Sequence, residues 1–581
     1  MSEQQTIVEE VIQDLGLDAQ WLTSTDGLLT LAAVGGLIGL KFFGKDNNKK
    51  LASGHWAGNK EKNNARDRAL KQIANPEQDS AALWIGTVKP ERGTPAYESA
   101  RLPNKGDPVF WQPDIQRGTL VLGSNGSGKT DSFLNGGILS AMAQGFPIVL
   151  YDFKYPSQSK LAVYAKRLGY EVSVFAPGFP ESCVCNPLDF LRDETDAETA
   201  RQIASTVNKN FKKITQQQED GYFGPAGDQA VEASLLLAKS SEYPDVITAN
   251  QILSAEELVK RLKKADLNPW VKLSFAQLLS TAGSEKTTAS IISTASLMFS
   301  RFMKQRLLSA FVGKTTLPLD LKPKQMVIFG LDRTRRAVCG PLVCSIVDAL
   351  VSRNISYRRE EPLCFFADEF PTLYLPNIGR WLNEARSEGF CGQIAAQSMS
   401  QIHNTYGENE AKTILGGCNT KVLFNIAEPE SAKKFSDALG DESIDYVQKS
   451  RSRSRGHSTK SKSYQERTRK LVEAAAMGRM PTGKAIVLSP GYGSGKGDDE
   501  ETYVPVRHKF KLSKHYKAIK RDCERNWHKL QKALIKQSQQ QQPTERDLMV
   551  RRDEVDRLLP LEEGEQTPVA PSTAPYNNIG F

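Results

Sequence analysis

Gly123 to Thr130 reads GSNGSGKT and matches the pattern G-x-x-x-x-G-K-[ST]. The chemistry offered by Gly123, Ser124, Asn125, Gly126, Ser127, Gly128, Lys129 and Thr130 is phosphate binding. Glycines let the backbone curl so that successive N–H groups face phosphate oxygens. An apolar run, GTLVLG (118–123), precedes the loop and a helix-like segment follows. The helix adds its positive N-terminal end to the cradle. Lys129 is placed to reach the terminal phosphates of a nucleotide, and the Thr130 hydroxyl to ligate Mg²⁺. A similar run, GYGSGKGDD (491–499), lacks the strand–helix setting, ends in two acids and reads as a loop.

A second stretch, LCFFADEF (363–370), is an apolar strand that ends in two adjacent carboxylates. Alone, the pair could be a strand reaching solvent. Beside a phosphate loop the roles divide: Asp368 faces the metal, through water, and Glu369 polarises the attacking water. Downstream, Gln397 ends the run GQIAAQ, where a polar side chain can sense the γ-phosphate. Arg386, just before that run, is placed to act as a finger on a neighbouring subunit's nucleotide, the alternative being an exposed helix salt bridge.

These residues need a scaffold that delivers strand ends to one edge. Near-continuous apolar runs recur at 118–123, 147–152, 171–177, 325–331, 363–368, 392–397, 421–426 and 484–489, separated by helical segments. That alternation predicts an α/β fold with a mostly parallel sheet covered on both faces. The nucleotide-binding domain is expected in two parts, 81–186 and 316–535. Between them, 187–315 reads as an inserted all-α domain, with Ile291, Ala295, Met298 and Phe302 at helical spacing. Residues 449–470 hold nine Lys/Arg against one Glu and are expected as an exposed basic loop. Residues 536–581 read as a disordered tail in which Leu548, Val555, Leu558 and Leu559 could form a short docking helix.

The 581 residues carry a formal charge of +9, which permits a nucleic-acid partner without requiring one. Eight cysteines without a CxxC, and only six histidines, argue against a zinc site or a disulfide framework. Residues 1–44 form an N-terminal segment whose stretch at about 22–43 reads as a transmembrane anchor. No Lys or Arg precedes Lys41, whereas Lys41, Lys45, Lys49 and Lys50 follow closely, so the remainder is expected in the cytoplasm. Residues 45–80 read as a basic linker.

The ordered set of segments resembles the coupling-protein ATPases of type IV secretion and conjugation, relatives of the septal DNA translocases. The resemblance rests on YDFKYPSQSKLAVYAKRLGYEVSVFAP (151–177), CNPLDFL (185–191), the run 365–402 from FFADEF to SMSQI, and GGCNTKVLFNIAEPESAKKFSDALG (416–440), within about 110–490. It implies a RecA-like P-loop fold, a homo-hexamer and a place at the bacterial inner membrane with the bulk of the chain cytoplasmic. It further implies ATP and Mg²⁺ as cofactors, and as partners a relaxase or relaxosome, type IV secretion channel components and DNA, bound single-stranded and without sequence preference. Lys129, Thr130, Asp368, Glu369, Arg386 and Gln397 fall on the family's nucleotide-site positions. The implied function is ATP-driven transfer of a relaxase–DNA complex. The alternatives are a secretion ATPase for protein effectors and an ATP-switched docking receptor. Members of the family commonly carry two N-terminal membrane helices, whereas this chain offers one short one. Arg333, Arg335 and Arg336 are further candidates for DNA contact.

Overall fold

The computed structural model describes residues 54–561, apart from 78, 91–92, 99, 216–222, 301–302, 455–456 and 494–502. The expected anchor at 22–43, Phe302 and most of the 491–499 run lie outside the described residues. One described stretch, Arg333–Asn354, is apolar and long enough to cross a membrane, but 78% of its apolar window is buried inside the protein.

Thirteen strands are described: β1 Leu83–Ile85, β2 Phe110–Gln112, β3 Thr119–Leu122, β4 Ile148–Asp152, β5 Glu171–Phe175, β6 Gln325–Gly330, β7 Leu363–Ala367, β8 Phe390–Ala396, β9 Thr420–Leu423, β10 Asp441–Ser454, β11 His457–Lys470, β12 Lys484–Leu488 and β13 Val506–Lys509. Nine of them form one sheet in the order β13-β12-β9-β3-β8-β7-β4-β6-β5. From β9 to β5 every pairing is parallel; β12 alone runs the other way, antiparallel to both β9 and β13. The apolar runs need this arrangement because both faces are covered. Within β4, Val149 and Tyr151 join one core while Ile148 and Leu150 join the other. Each crossover returns the chain in the same direction, so β3, β7 and β8 all end at the same edge.

The helices used below are α1 Asn59–Ala74, α2 Asn135–Gln144, α3 Ala197–Thr215, α4 Phe223–Lys239, α5 Val246–Leu253, α6 Leu258–Lys264, α7 Glu285–Ser300, α8 Arg336–Asn354, α9 Lys514–Gln537 and α10 Glu545–Leu558. Between β5 and β6 the chain is helical throughout its regular elements, and α3 lies along both α4 and α8. On α7 the buried side chains are Ile291, Ala295, Met298 and Phe299. Asp245 caps α5 by accepting from the N–H groups of Ile247 and Thr248.

Three expectations are corrected. The stretch 45–80 is not simply a linker, because α1 buries Ala65, Ala69 and Ile73. That spacing of four was obscured by the charged residues around it. The described residues of 449–470 are not a loop; they fall in the paired strands β10 and β11. Arg and Ser alternate at period two in SRSRS, a strand pattern that needs no apolar residue. Residues 441–469 belong to a unit separate from the main body. The described part of 536–581 is not a tail either. Ser538, Arg551, Glu554, Val555 and Leu559 are buried, and a Thr544–Asp547 capping box starts α10. The stripe expected there is split: Val555 and Leu559 face inward, whereas Leu548 is 43% exposed.

Candidate nucleotide site

The loop after β3 is built on close backbone approach. A Cβ on Gly123 would lie 2.7 Å from both the Phe424 Cβ and the Ser127 Oγ. Gly128 holds φ at +96°, in the left-handed region that an L side chain avoids. Lys129 then opens a π-type turn, Lys129–Leu134, that leads into α2.

Across the sheet, Asp368 and Glu369 follow β7. The Thr130 hydroxyl donates to Asp368 Oδ2 at 2.7 Å. Lys129 Nζ lies 3.4 Å from Glu369 Oε1, and both residues are only 5% exposed. β8 runs between β3 and β7, so its end delivers Gln397 between the two. Gln397 Nε2 donates to both Glu369 oxygens at 3.1 Å. Glu369 itself sits at φ +55°, which turns its side chain back over the strand ends. Burial pushes the Asp368 carboxyl above its ordinary value, against the opposing pull of the Thr130 hydroxyl and the Lys129 charge.

The arrangement therefore offers a buried cation, two hard oxygen donors side by side, and a carboxylate held by a polar sensor. The Ser127 hydroxyl, buried in the loop, has no hydrogen-bond partner among the described residues. A phosphate oxygen would supply one.

Arg386 does not join this cluster. It is exposed on the turn before β8, and its carbonyl accepts from the Gly389 N–H at 3.3 Å. The whole of β8, seven residues, separates it from Gln397. That is roughly 20 Å of extended chain. Arg335 pairs with Asp332 at 3.7 Å, and Arg336 Nη2 donates to the Thr372 carbonyl, three residues past Glu369.

Three supports are not among the residues expected from the sequence. Asn425, just past β9, accepts from the Ser124 N–H at 2.8 Å through its carbonyl and from the Ser124 hydroxyl at 3.2 Å through Oδ1. Its signal was present, since it is a polar residue ending an apolar strand, as Gln397 is. The Gly483 N–H and the Thr482 hydroxyl donate to the carbonyls of Ser127 and Gly126. Asp131 accepts from Tyr516 at 2.7 Å and from Lys520 at 2.9 Å, both on α9. Burial raises the Asp131 carboxyl, but bonds from Lys520, Tyr516 and Asn135 outweigh it and hold it below its ordinary value. No local pattern links residues so far apart.

Residues 362–482 match the family model for the TraM recognition site of TraD and TraG. One stretch of 85 residues is 33% identical to coupling protein TraD of Escherichia coli (strain K12), covering 14% of this chain and 12% of that protein. The chain is related to the type IV coupling proteins. The likeness expected from the sequence is thus borne out. Coupling-protein TrwB in complex with the non-hydrolysable ATP analogue ADPNP shares the fold at a TM-score of 0.53 and 15% identity, over 75% of this chain and 96% of that one. A trigonal, sulphate-bound form of TrwBdeltaN70 gives 0.50 and 16%, over 74% and 94%. The RecA-like P-loop architecture is the expected one. The match to the coupling-protein family model takes in Asp368, Glu369, Arg386, Gln397 and Asn425, while the phosphate loop lies outside it.

Proposed function

We propose that the chain is an ATP-hydrolysing coupling protein of a conjugative or type IV secretion system, which drives a relaxase–DNA complex toward an inner-membrane channel. The observation that carries the ATPase reading is the convergence of Lys129, Thr130, Asp368, Glu369 and Gln397 on one edge of the sheet. In this reading Thr130 and Asp368 hold Mg²⁺, whose charge offsets that of the phosphates. Lys129 leaves Glu369 for the terminal phosphates of ATP. Glu369, freed on that side, accepts the proton of an attacking water, while Gln397 keeps its carboxylate aimed. Arg386 serves the nucleotide of the next subunit in a homo-hexamer, which its distance from its own phosphate loop supports. The relatives named above support the transport reading, as does the basic charge; the partners are then relaxosome proteins, channel components, the inner membrane and DNA.

The test is ATP turnover of the purified chain with and without single- and double-stranded DNA. Stimulation by DNA is the expected result. Turnover indifferent to both would sink the DNA reading and leave a secretion ATPase for proteins.

A further inference from the structure

α9 has two faces of opposite character. Tyr516, Ile519, Cys523 and Trp527 are buried against the helix Ala162–Arg167 and its surroundings. On the other side Lys514, Lys517, Arg521, Arg525, Lys532 and Lys536 are all exposed. Their spacing of three, four, four, seven and four residues keeps them within about 60° of one line along an α-helix. From Lys514 to Lys536 that line is about 33 Å long, with a cation at most turns.

Among the described residues these cations are left without ion pairs. Elsewhere the protein pairs such groups: Arg167 with Asp522 at 2.8 Å, Lys520 with Asp131, Arg353 with Asp320 at 2.7 Å. Among the described residues none of the six stripe cations has a carboxylate partner. Asp522 is turned inward to Arg167, and Glu524 lies at the margin of the stripe.

We infer that the outer face of α9 is a contact surface for the sugar–phosphate backbone of a nucleic acid, read without regard to sequence. A row of cations suits a linear array of phosphates, which carries about one charge per 1.7 Å of duplex. A membrane surface fits less well. A helix that lies on lipid needs a free apolar face to sink into the acyl boundary, and α9 spends its apolar face inside the protein. The inference rests on the DNA-handling reading and deepens it by giving it a place. It also places the contact one helix width from the site, because Lys520, on the inner side of the same helix, bonds Asp131 next to Thr130.

The experiment uses the full chain with Lys517, Arg525 and Lys532 all changed to Glu, and a second variant with the same three changed to Gln. Binding of a mixed-sequence oligonucleotide, single-stranded and duplex, is measured across a salt series. Neutralising three contacts should lower the slope of log K against log salt by about two to three and weaken binding more than tenfold at moderate salt. ATP turnover without DNA should be unchanged, and its stimulation by DNA reduced. Wild-type affinity and slope in both variants overturn the inference while the DNA reading stands. Failure of the unaltered chain to bind DNA overturns both. Loss of binding to anionic vesicles with DNA binding intact overturns it in favour of a membrane surface.

Discussion

Glu369 is the residue on which the site turns. It is buried, left-handed in backbone and held by Lys129 on one side and Gln397 on the other. Replacing it with Gln keeps the shape and removes the proton acceptor. Turnover should fall by about 10²–10⁴ while ATP still binds, as read by a fluorescent nucleotide. Wild-type turnover would remove Glu369 from the chemistry. A second buried acid gives a pH prediction. Asp348, on α8, accepts from Gln202 at 2.6 Å and Asn377 at 2.8 Å. Burial pushes its carboxyl up from 3.8 to about 6. The folded state therefore holds the proton more tightly than the unfolded one. The stability this gives is complete below pH 4 and is lost as pH rises through 6. The difference in stability between wild type and Asp348→Asn should shift by about 2–3 kcal/mol over that window. Parallel curves from pH 4 to 7 would refute this.

At the scale of elements, the C-terminal pair of helices ties the sheet to the helical insertion. α9 is fixed by Arg167–Asp522 and Lys520–Asp131. The segment after it is caught where Gln540 Nε2 donates to the Phe179 and Ser182 carbonyls. α10 then docks on α5 and α6. Arg551 meets Asp245 at 2.6 Å, with both nearly buried, and Arg261 donates to Asp556 and to the Leu559 carbonyl. Removing one member of a buried pair strands the other charge, at about 3–5 kcal/mol. Arg551→Ala should therefore release α10. Its amides should exchange quickly while those of α9 stay protected, as hydrogen-exchange mass spectrometry would report. Uniform loss of protection would mean that the two helices do not open separately.

At the scale of the whole molecule, the proposed homo-hexamer is tested through Arg386. Arg386 lies a full strand away from its own phosphate loop. A finger working across an interface predicts that Arg386→Ala loses about 10³ in turnover or more. Mixing it with Lys129→Ala subunits should restore part of the activity, since each supplies what the other lacks. Mixtures no more active than either variant would argue for an ordinary surface arginine.

Wherever chemistry demanded neighbouring residues, the sequence was sufficient. A phosphate loop requires its glycines, lysine and threonine in one contiguous run, so GSNGSGKT could be read directly. Asp368 and Glu369 were legible because a buried parallel strand is a continuous apolar run, and its end is where polar side chains emerge. Eight runs named from apolarity alone became β3 to β9 and β12. The short edge strand β13, with burial confined to Val506, was too slight to register. Other features depended on contacts between distant residues, which impose no local period. Only the sheet order puts β8 between β3 and β7, and so Gln397 against Glu369. Only packing brings Lys520 to Asp131, 389 residues away, and Arg551 to Asp245, 306 away. The polar C-terminal stretch looked like a tail because its anchors are charges, and a charge reads as solvent-facing until its partner is found across the fold.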